Sequence, residues 1–443
     1  MKYYNHFLKN IVFALVFAGT FGACVSTGPF TNVENEIVYE KYSAGAEILE
    51  INKNKLYASN DTLLYNLDKG MLCHYAGQYS DSTDLLQEAE RKIEDAFTKS
   101  ITQELASYLV NDLAKEYSGE DYEDIYINVF NALNYYHQNN LEASLVEIRR
   151  MSNKLQYLTQ KYDAALSNLQ KKAIDDGEAE IPSSPDAVTK FNNSALARYL
   201  GILFYRNADL EDDARIDREY LLAAFANTPE VYGHPVPKSI SDELQNQEDL
   251  ARLNVIAFSG LSPIKQEIVI RIFLIKYNRW IKIALPEMVS RSSNVSKAEL
   301  VFADGRKYEL ELLEDIDAVA KETFKTKASI IYLKTVIRAT AKAISSVAMK
   351  EASKEAGGET GVALWALSLG TQAYSEVSEK ADTRLSRFFP GKAYIGGINL
   401  PPGTYSFKVH YYDTNGRIIS TNSYSDFNIR KNSLNLAEAV CLK

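Results

Sequence analysis

The spacing of apolar residues changes period part-way along this chain, and that change constrains the fold more than any other feature. Between residues 60 and 228 apolar side chains recur three and four apart, as in Leu63, Leu64, Leu67, Met71 and Leu72, then Leu85, Leu86, Ala89 and Ile93. That spacing lays one apolar stripe along a helix. From residue 267 they largely alternate, as in EIVIRIFLIKY at 267–277, which is the period of a strand. Pro229, Gly233, Pro235 and Pro237 punctuate the junction. The expected class is multidomain α plus β, with helices first and strands after.

The helical part reads as paired helices. Asp61 suits an N-cap, Gly77-Gln78-Tyr79 breaks the first helix, and Gly70 and Ala89 are the small residues a close helix pair needs. A second unit spans 129–155, with Ala132 and Tyr135 in the places of Gly70 and Cys73 and a turn at Asn139-Asn140-Leu141. A third spans 196–225, around Leu200-Gly201 and Phe204. The small positions 70, 132 and 201 are too far apart for a tandem array, so extra helices are expected around 98–113 and 155–173. This is an irregular tetratricopeptide (TPR)-like helical solenoid. In YSGEDYE at 117–123, Gly119 permits a tight turn, Ser118 and Asp121 have capping-box spacing, and the acids suit a helix start.

The strand part reads as a β-sandwich-like domain of about eight short strands. Asp304-Gly305 and Asn415-Gly416 are hairpin signals, and Pro401-Pro402-Gly403-Thr404-Tyr405 reads as the start of an edge strand. An Ala-rich helical hairpin interrupts it at 315–388. Its first helix, 328–349, carries Ile330, Leu333, Ile337, Ala341, Ile344 and Ala348 on one face, with Lys334, Arg338 and Lys342 beside them. Gly357-Gly358 breaks it, and 362–377 forms the second helix. A layer packed on the strands, a self-association element and a lipid-surface element all fit that pattern.

Lys2 and Lys9 precede and flank an apolar run at 11–21, and no acid occurs before Glu34. This is the layout of a secretory signal, too short to span a bilayer. The following Phe21-Gly22-Ala23-Cys24 resembles the lipobox of bacterial lipoproteins, with Phe21 in the place of the usual Leu. The resemblance implies cleavage after residue 23, a diacylglyceryl group on the Cys24 thiol and acylation of the new N-terminus. Val25 implies outer-membrane sorting. Plain cleavage after Ala23 is the alternative. The expected domains are a signal peptide at 1–23, a lipid-anchored tether at 24–59, the helical domain at 60–228, a linker with a short helix at 229–250, and the strand domain at 251–443. Cys73 and Cys441 allow one disulfide and no framework.

Gly77-Gln78-Tyr79, the YSGEDYE run, Gly260-Leu261-Ser262-Pro263-Ile264-Lys265, Asp315-Ile316-Asp317-Ala318, Ala381-Asp382-Thr383-Arg384 and Leu400-Pro401-Pro402-Gly403-Thr404 together resemble an uncharacterised family of tetratricopeptide-like bacterial envelope lipoproteins. The resemblance implies no assigned reaction. It implies partners among other envelope lipoproteins, including ones resembling activators of peptidoglycan synthases.

Charge separates the two parts. Residues 1–256 hold 23 Lys/Arg and 39 Asp/Glu, a sum of −16, and residues 257–443 hold 26 and 19, a sum of +7. That favours two domains with different partners, or docking of one on the other. The basic excess is small and lacks interleaved aromatics, which argues against nucleic acid. No phosphate loop, dinucleotide fingerprint, nucleophile elbow or zinc-helix motif occurs, so no catalytic residue, cofactor or metal site is expected. The function expected is a non-enzymatic, lipid-anchored scaffold in the outer membrane facing the periplasm. It would bind an envelope protein or peptide through a groove containing Tyr65, Asp68, His74, Tyr136 and His137. The competing readings are an envelope hydrolase acting on cell-wall glycan or peptide, and a membrane-associated secretion or assembly subunit that uses the hairpin.

Overall fold

In the computed structural model the described residues are 30–103, 113, 115–158, 160–163, 189–245, 249–274, 279–356 and 380–443. They form a mixed α plus β fold. It begins earlier than expected. The stretch read as an extended tether folds from residue 30 into α1 (Thr31–Val38), α2 (Tyr42–Ile51) and the short α3 (Lys53–Leu56). The Ser-Thr-Gly-Pro run at 26–29 suggested a loop throughout, but Val33 and Ile37, then Ala46 and Leu49, recur at helical spacing and are buried.

Three helix pairs follow at the expected positions. They are α4 (Thr62–Tyr75) with α5 (Tyr79–Gln103), α6 (Asp121–His137) with α7 (Leu141–Leu158), and α8 (Ala195–Asn207) with α9 (Glu211–Asn227). The turns contain Gly77, Asn139 and Asp209, all at positive φ. A Cβ on Gly70 would lie 2.9 Å from Leu86 Cδ2, and one on Gly201 would lie 1.8 Å from Asp217 Oδ2. These glycines let the paired helices touch. The helix expected from residue 98 is, as far as 103, the end of α5, and the one expected from 155 begins inside α7. Their remainders lie largely outside the described residues. The capping box at α6 is shifted by two residues from the expected one. Glu120 takes the N-cap position, and Glu123 accepts the Glu120 N–H at 2.7 Å.

At the junction, the short helix expected in the 229–250 linker is one turn of 3-10 helix at Lys238–Asp242, and strand β1 (Ala251–Leu261) follows. Then come β2 (Ile264–Leu274), β3 (Arg279–Val289), β4 (Lys297–Phe302), β5 (Lys307–Asp315), the 41-residue α10 (Ile316–Ala356), β6 (Pro390–Leu400), β7 (Gly403–Tyr412), β8 (Ile418–Ile429) and β9 (Asn435–Cys441). The insertion is real, because β5 and β6 pair across it. Its first helix starts at 316, not 328, and the second expected helix lies outside the described residues.

The strands form one sheet in the order β8-β7-β4-β5-β6-β1-β9, with β1 and β9 parallel, plus a separate ribbon of β2 and β3. The sheet curls until its edges meet: the Tyr424 hydroxyl donates to the Glu438 carbonyl, and Val440 N donates to Asn422 Oδ1 at 2.6 Å. A nearly closed sheet thus stands where two facing sheets were expected. Extra residues in β5, opposite β6, and in β8, opposite β7, shift the register and accompany the curl, as bulges do. β7 lies between β8 and β4, so the Pro-Pro-Gly-Thr-Tyr segment does not open an edge strand.

Inside the curl lies one core, with Leu253, Val255 and Ala257 of β1 against Leu300, Val409 and Ala439. On the outer face of the same strands, Ile256, Phe258 and Ile395 join the helical core. Phe130 of α6 packs on Phe258 and Phe389, with ring centroids 5.2 and 6.0 Å apart. The helical pairs and the sheet therefore share a core. Cys73 and Cys441 are both buried and both free. Among the described residues no helix is long and apolar enough to cross a membrane.

Candidate functional site

The first helix of each pair faces the sheet and the second faces outward. In α8, 11 of 13 residues are buried, against 4 of 17 in α9, so the inner helices carry the joint. His74 near the end of α4 and His137 at the end of α6 converge on Glu438 of β9. His74 Nε2 lies 2.5 Å from Oε1 and His137 Nε2 lies 2.8 Å from Oε2. The other His74 nitrogen lies 2.6 Å from Asn134 Oδ1, whose amide nitrogen donates to Ser82 Oγ at 2.9 Å. Both His74 nitrogens thus face acceptors, an arrangement that suits imidazolium. Burial opposes that charge, and Glu438 outweighs it, so the His74 pKa rises. Burial likewise opposes the Glu438 carboxylate, and the two histidines hold it far below the usual range. His137 also stacks on Tyr79 at 4.3 Å.

The other residues expected in a groove meet the same chain. Asp68 is buried and accepts from the Tyr57 hydroxyl at 2.8 Å, Ser386 Oγ at 2.8 Å and Arg387 N at 2.7 Å. Burial raises its pKa. The Tyr136 hydroxyl donates to Leu434 O at 3.2 Å and accepts from Leu436 N at 3.1 Å, so it satisfies the outer edge of β9. Tyr65 donates to Glu50 of α2 and lies beneath the Lys53 ammonium. All five side chains are therefore engaged inside the molecule. The expected open groove is filled by the chain's own N- and C-terminal segments.

Several residues of the joint escaped the sequence reading. Glu314 is fully buried and accepts from the hydroxyls of Tyr126 at 2.5 Å, Tyr232 at 2.5 Å and Ser194 at 2.7 Å. Burial raises its pKa. Glu123 accepts from Tyr117 and from Ser386 N, each at 2.7 Å, and burial together with nearby Glu120 pushes its pKa up to about 7. Glu120 itself meets Lys265 and Lys327. Arg384 bridges Asp382 and Asp61, each at distances of 2.7 to 2.9 Å. Glu438 carried one signal, as the lone acid within the apolar strand NLAEAVC, a placement that calls for a buried partner, whereas Glu314 was masked by Glu309, Glu311 and Asp315 in its own strand. The YSGEDYE, GLSPIK and ADTR runs that suggested a family all converge on this joint, through Glu120, Lys265 and Arg384.

Among the described residues no group of His, Cys, Asp and Glu has the geometry to hold a metal ion. A separate apolar cleft of about 470 Å³ lies between the β2–β3 ribbon and α10, lined by Ile268, Leu285, Met288, Phe324 and Tyr332. Compared with family models, with curated proteins and with solved structures, the chain matches none. Fold and joint together define a mixed α plus β protein whose helical layer is locked onto a curled sheet.

Proposed function

We propose that this chain is a lipid-anchored, non-enzymatic scaffold of the bacterial cell envelope, held by acyl groups on Cys24 in the outer membrane and facing the periplasm. Its helix pairs act as tetratricopeptide-like units. The observation that carries the reading is the locked joint: the inner helices are spent on the sheet, which leaves the outer helices α5, α7 and α9 as the face a protein partner meets. Val146 and Tyr157 of α7 and Ile216 and Tyr220 of α9 are exposed there. The partner is another envelope protein, and lipoproteins are among the candidates. The buried carboxylates favour support over catalysis, since Asp68, Glu123, Glu314 and Glu438 are each enclosed by donors of their own chain.

Anchoring at Cys24 would hold the body close to the bilayer. From Cys24 to Phe30 is six residues, which span at most about 20 Å. Labelled palmitate should enter the wild-type protein and not Cys24→Ala, whose product should leave the membrane fraction. Photocrosslinkers at Val146 and Ile216 in intact cells should capture an envelope protein, whereas crosslinkers at Tyr136 should yield only internal products. Unlabelled, freely soluble wild-type protein would overturn the anchor. Capture from Tyr136 and not from the outer helices would overturn the assignment of the binding face.

A further inference from the structure

The cleft beneath the β2–β3 ribbon has no part in the joint. β3 packs on α10, where Ile281 and Ile283 are buried against Val336 and Ala339. β2 lies beyond β3. Its Ile268, opposite Leu285, turns to the same face as Ile281 and Ile283 yet stays 37% exposed. The ribbon therefore overhangs the helix, and the space below the overhang is the cleft of about 470 Å³. That volume lies within the ~300–1,000 Å³ usual for small-molecule sites. Its shape is set by α10. Phe324, Ala328 and Tyr332 are four residues apart and form one row along the helix, with Lys321, Lys325 and Ser329 in the next row. From 321 to 332 the helix rises about 16 Å. Leu285 and Met288 of β3 and Ile268 of β2 cover that length. Spread over it, the volume leaves a cross-section of about 30 Å², which suits one extended chain.

The charges at the rim are already satisfied within the molecule. Lys321 pairs with Asp317 at 2.8 Å and meets the Ser290 hydroxyl, Lys325 pairs with Glu322, and the Ser329 hydroxyl donates to Lys325 O at 3.1 Å. Glu287 lines the same rim and is exposed. An anionic ligand would meet that acid and two lysines that already have acids, so the lining selects for an uncharged one. Burial raises the Tyr332 pKa, and no neighbouring charge contributes. Its hydroxyl is a neutral donor on the cleft wall. We propose that this cleft binds a single unbranched hydrocarbon chain carrying an uncharged oxygen function, such as an alkyl ester or a long-chain alcohol. The chain lies along the Phe324–Ala328–Tyr332 row, and its oxygen accepts from the Tyr332 hydroxyl. The site is independent of acylation at Cys24.

The test uses the non-acylated chain from residue 25 onward, which contains every described element. Titration with the uncharged dye N-phenyl-1-naphthylamine should give a saturable rise in emission, and methyl laurate and dodecanol should each displace the dye. Laurate, with the same chain and an ionised head, should displace it at least about tenfold less well. Ala328→Leu puts a larger side chain across the row and should abolish saturable binding, with a circular-dichroism melt matching wild type. Tyr332→Phe keeps the ring. It should weaken the ester and the alcohol about fivefold while leaving the dye unchanged, and it decides the matter if Ala328→Leu lowers the melting temperature. Absence of saturable dye binding, laurate binding as tightly as its methyl ester, or displacement untouched by both variants would overturn the proposal. So would binding that appears only after Leu364→Ser and Leu367→Ser, since the chain's own 357–379 segment would then hold the cleft. A dimer in sedimentation equilibrium that Ala328→Leu dissolves would also overturn it, by giving the cleft to a second copy.

Discussion

β1 and β2 are neighbours in the chain, separated by Ser262 and Pro263, and each has 11 residues. Both are strongly apolar, yet their surroundings are opposite. β1 lies between β6 and β9, with one face inside the curled sheet and the other on the helices, so nearly every residue is buried. β2 has one strand partner among the described strands and exposes four large apolar side chains. An apolar run with strand period fixes that a strand forms. Whether it is buried depends on which distant strands return to flank it, and β1 gains both of its flanks from the last 54 residues of the chain.

The comparison can be broken most directly with one substitution made twice. Phe258→Ala in β1 removes a ring enclosed by Phe130 and the helical core, and should cost about 3–5 kcal/mol. Phe273→Ala in β2 removes a ring that is already partly in water and should cost under about 1 kcal/mol. Denaturant unfolding of both variants reads the difference. Equal losses would mean that the ribbon is as integral to the fold as the sheet.

Glu438 sharpens the contrast from the other flank, since β9 brings it opposite Ile256, on the face of β1 that meets the helices. Among the described residues β2 has its buried ion pair only near its start, where Lys265 meets Glu120. Glu438→Gln leaves His74 without its counter-charge and should cost about 2–3 kcal/mol near pH 5.5. The pH dependence follows from the two directions of shift. The Glu438 pKa is depressed from 4.5, so its contribution is present above that value and fades as pH falls. The His74 pKa is raised from 6.5, so its contribution is full below that value and is lost as pH rises through the folded pKa. The wild-type advantage over Glu438→Gln should therefore peak between about pH 4.5 and 6.5 and shrink on both sides. A difference that is flat from pH 4 to 9 would show that the His74–Glu438 pair is not ionised.

Much of this was legible in the sequence, and the part that was not has a common cause. The strands and helix pairs announced themselves locally, through alternation, through Asp304-Gly305 and Asn415-Gly416, and through Gly70 and Gly201 at close approaches. Sheet order was not local. The parallel β1–β9 pair and the β4–β7 pair join residues far apart in the chain, and no turn residue encodes them. His74 and His137 were expected to face a partner's surface across an open groove, and both face Glu438 instead. That the surface was the chain's own β9 depended on that same long-range pairing. The helices at 31–56 were hidden by the Ser-Thr-Gly-Pro run before them.

The finest test separates polarity from volume. Val255 of β1 is buried inside the curled sheet and Val269 of β2 is half-exposed. Thr differs from Val by a hydroxyl in place of a methyl, so shape is nearly kept while one group changes its demand for water. Val255→Thr must bury that hydroxyl among Leu300, Val409 and other apolar side chains and should cost about 1–2 kcal/mol. Val269→Thr leaves the hydroxyl in water and should lie within about 0.5 kcal/mol of wild type in either direction. Equal costs at the two positions would show that β2 is as dry in solution as β1.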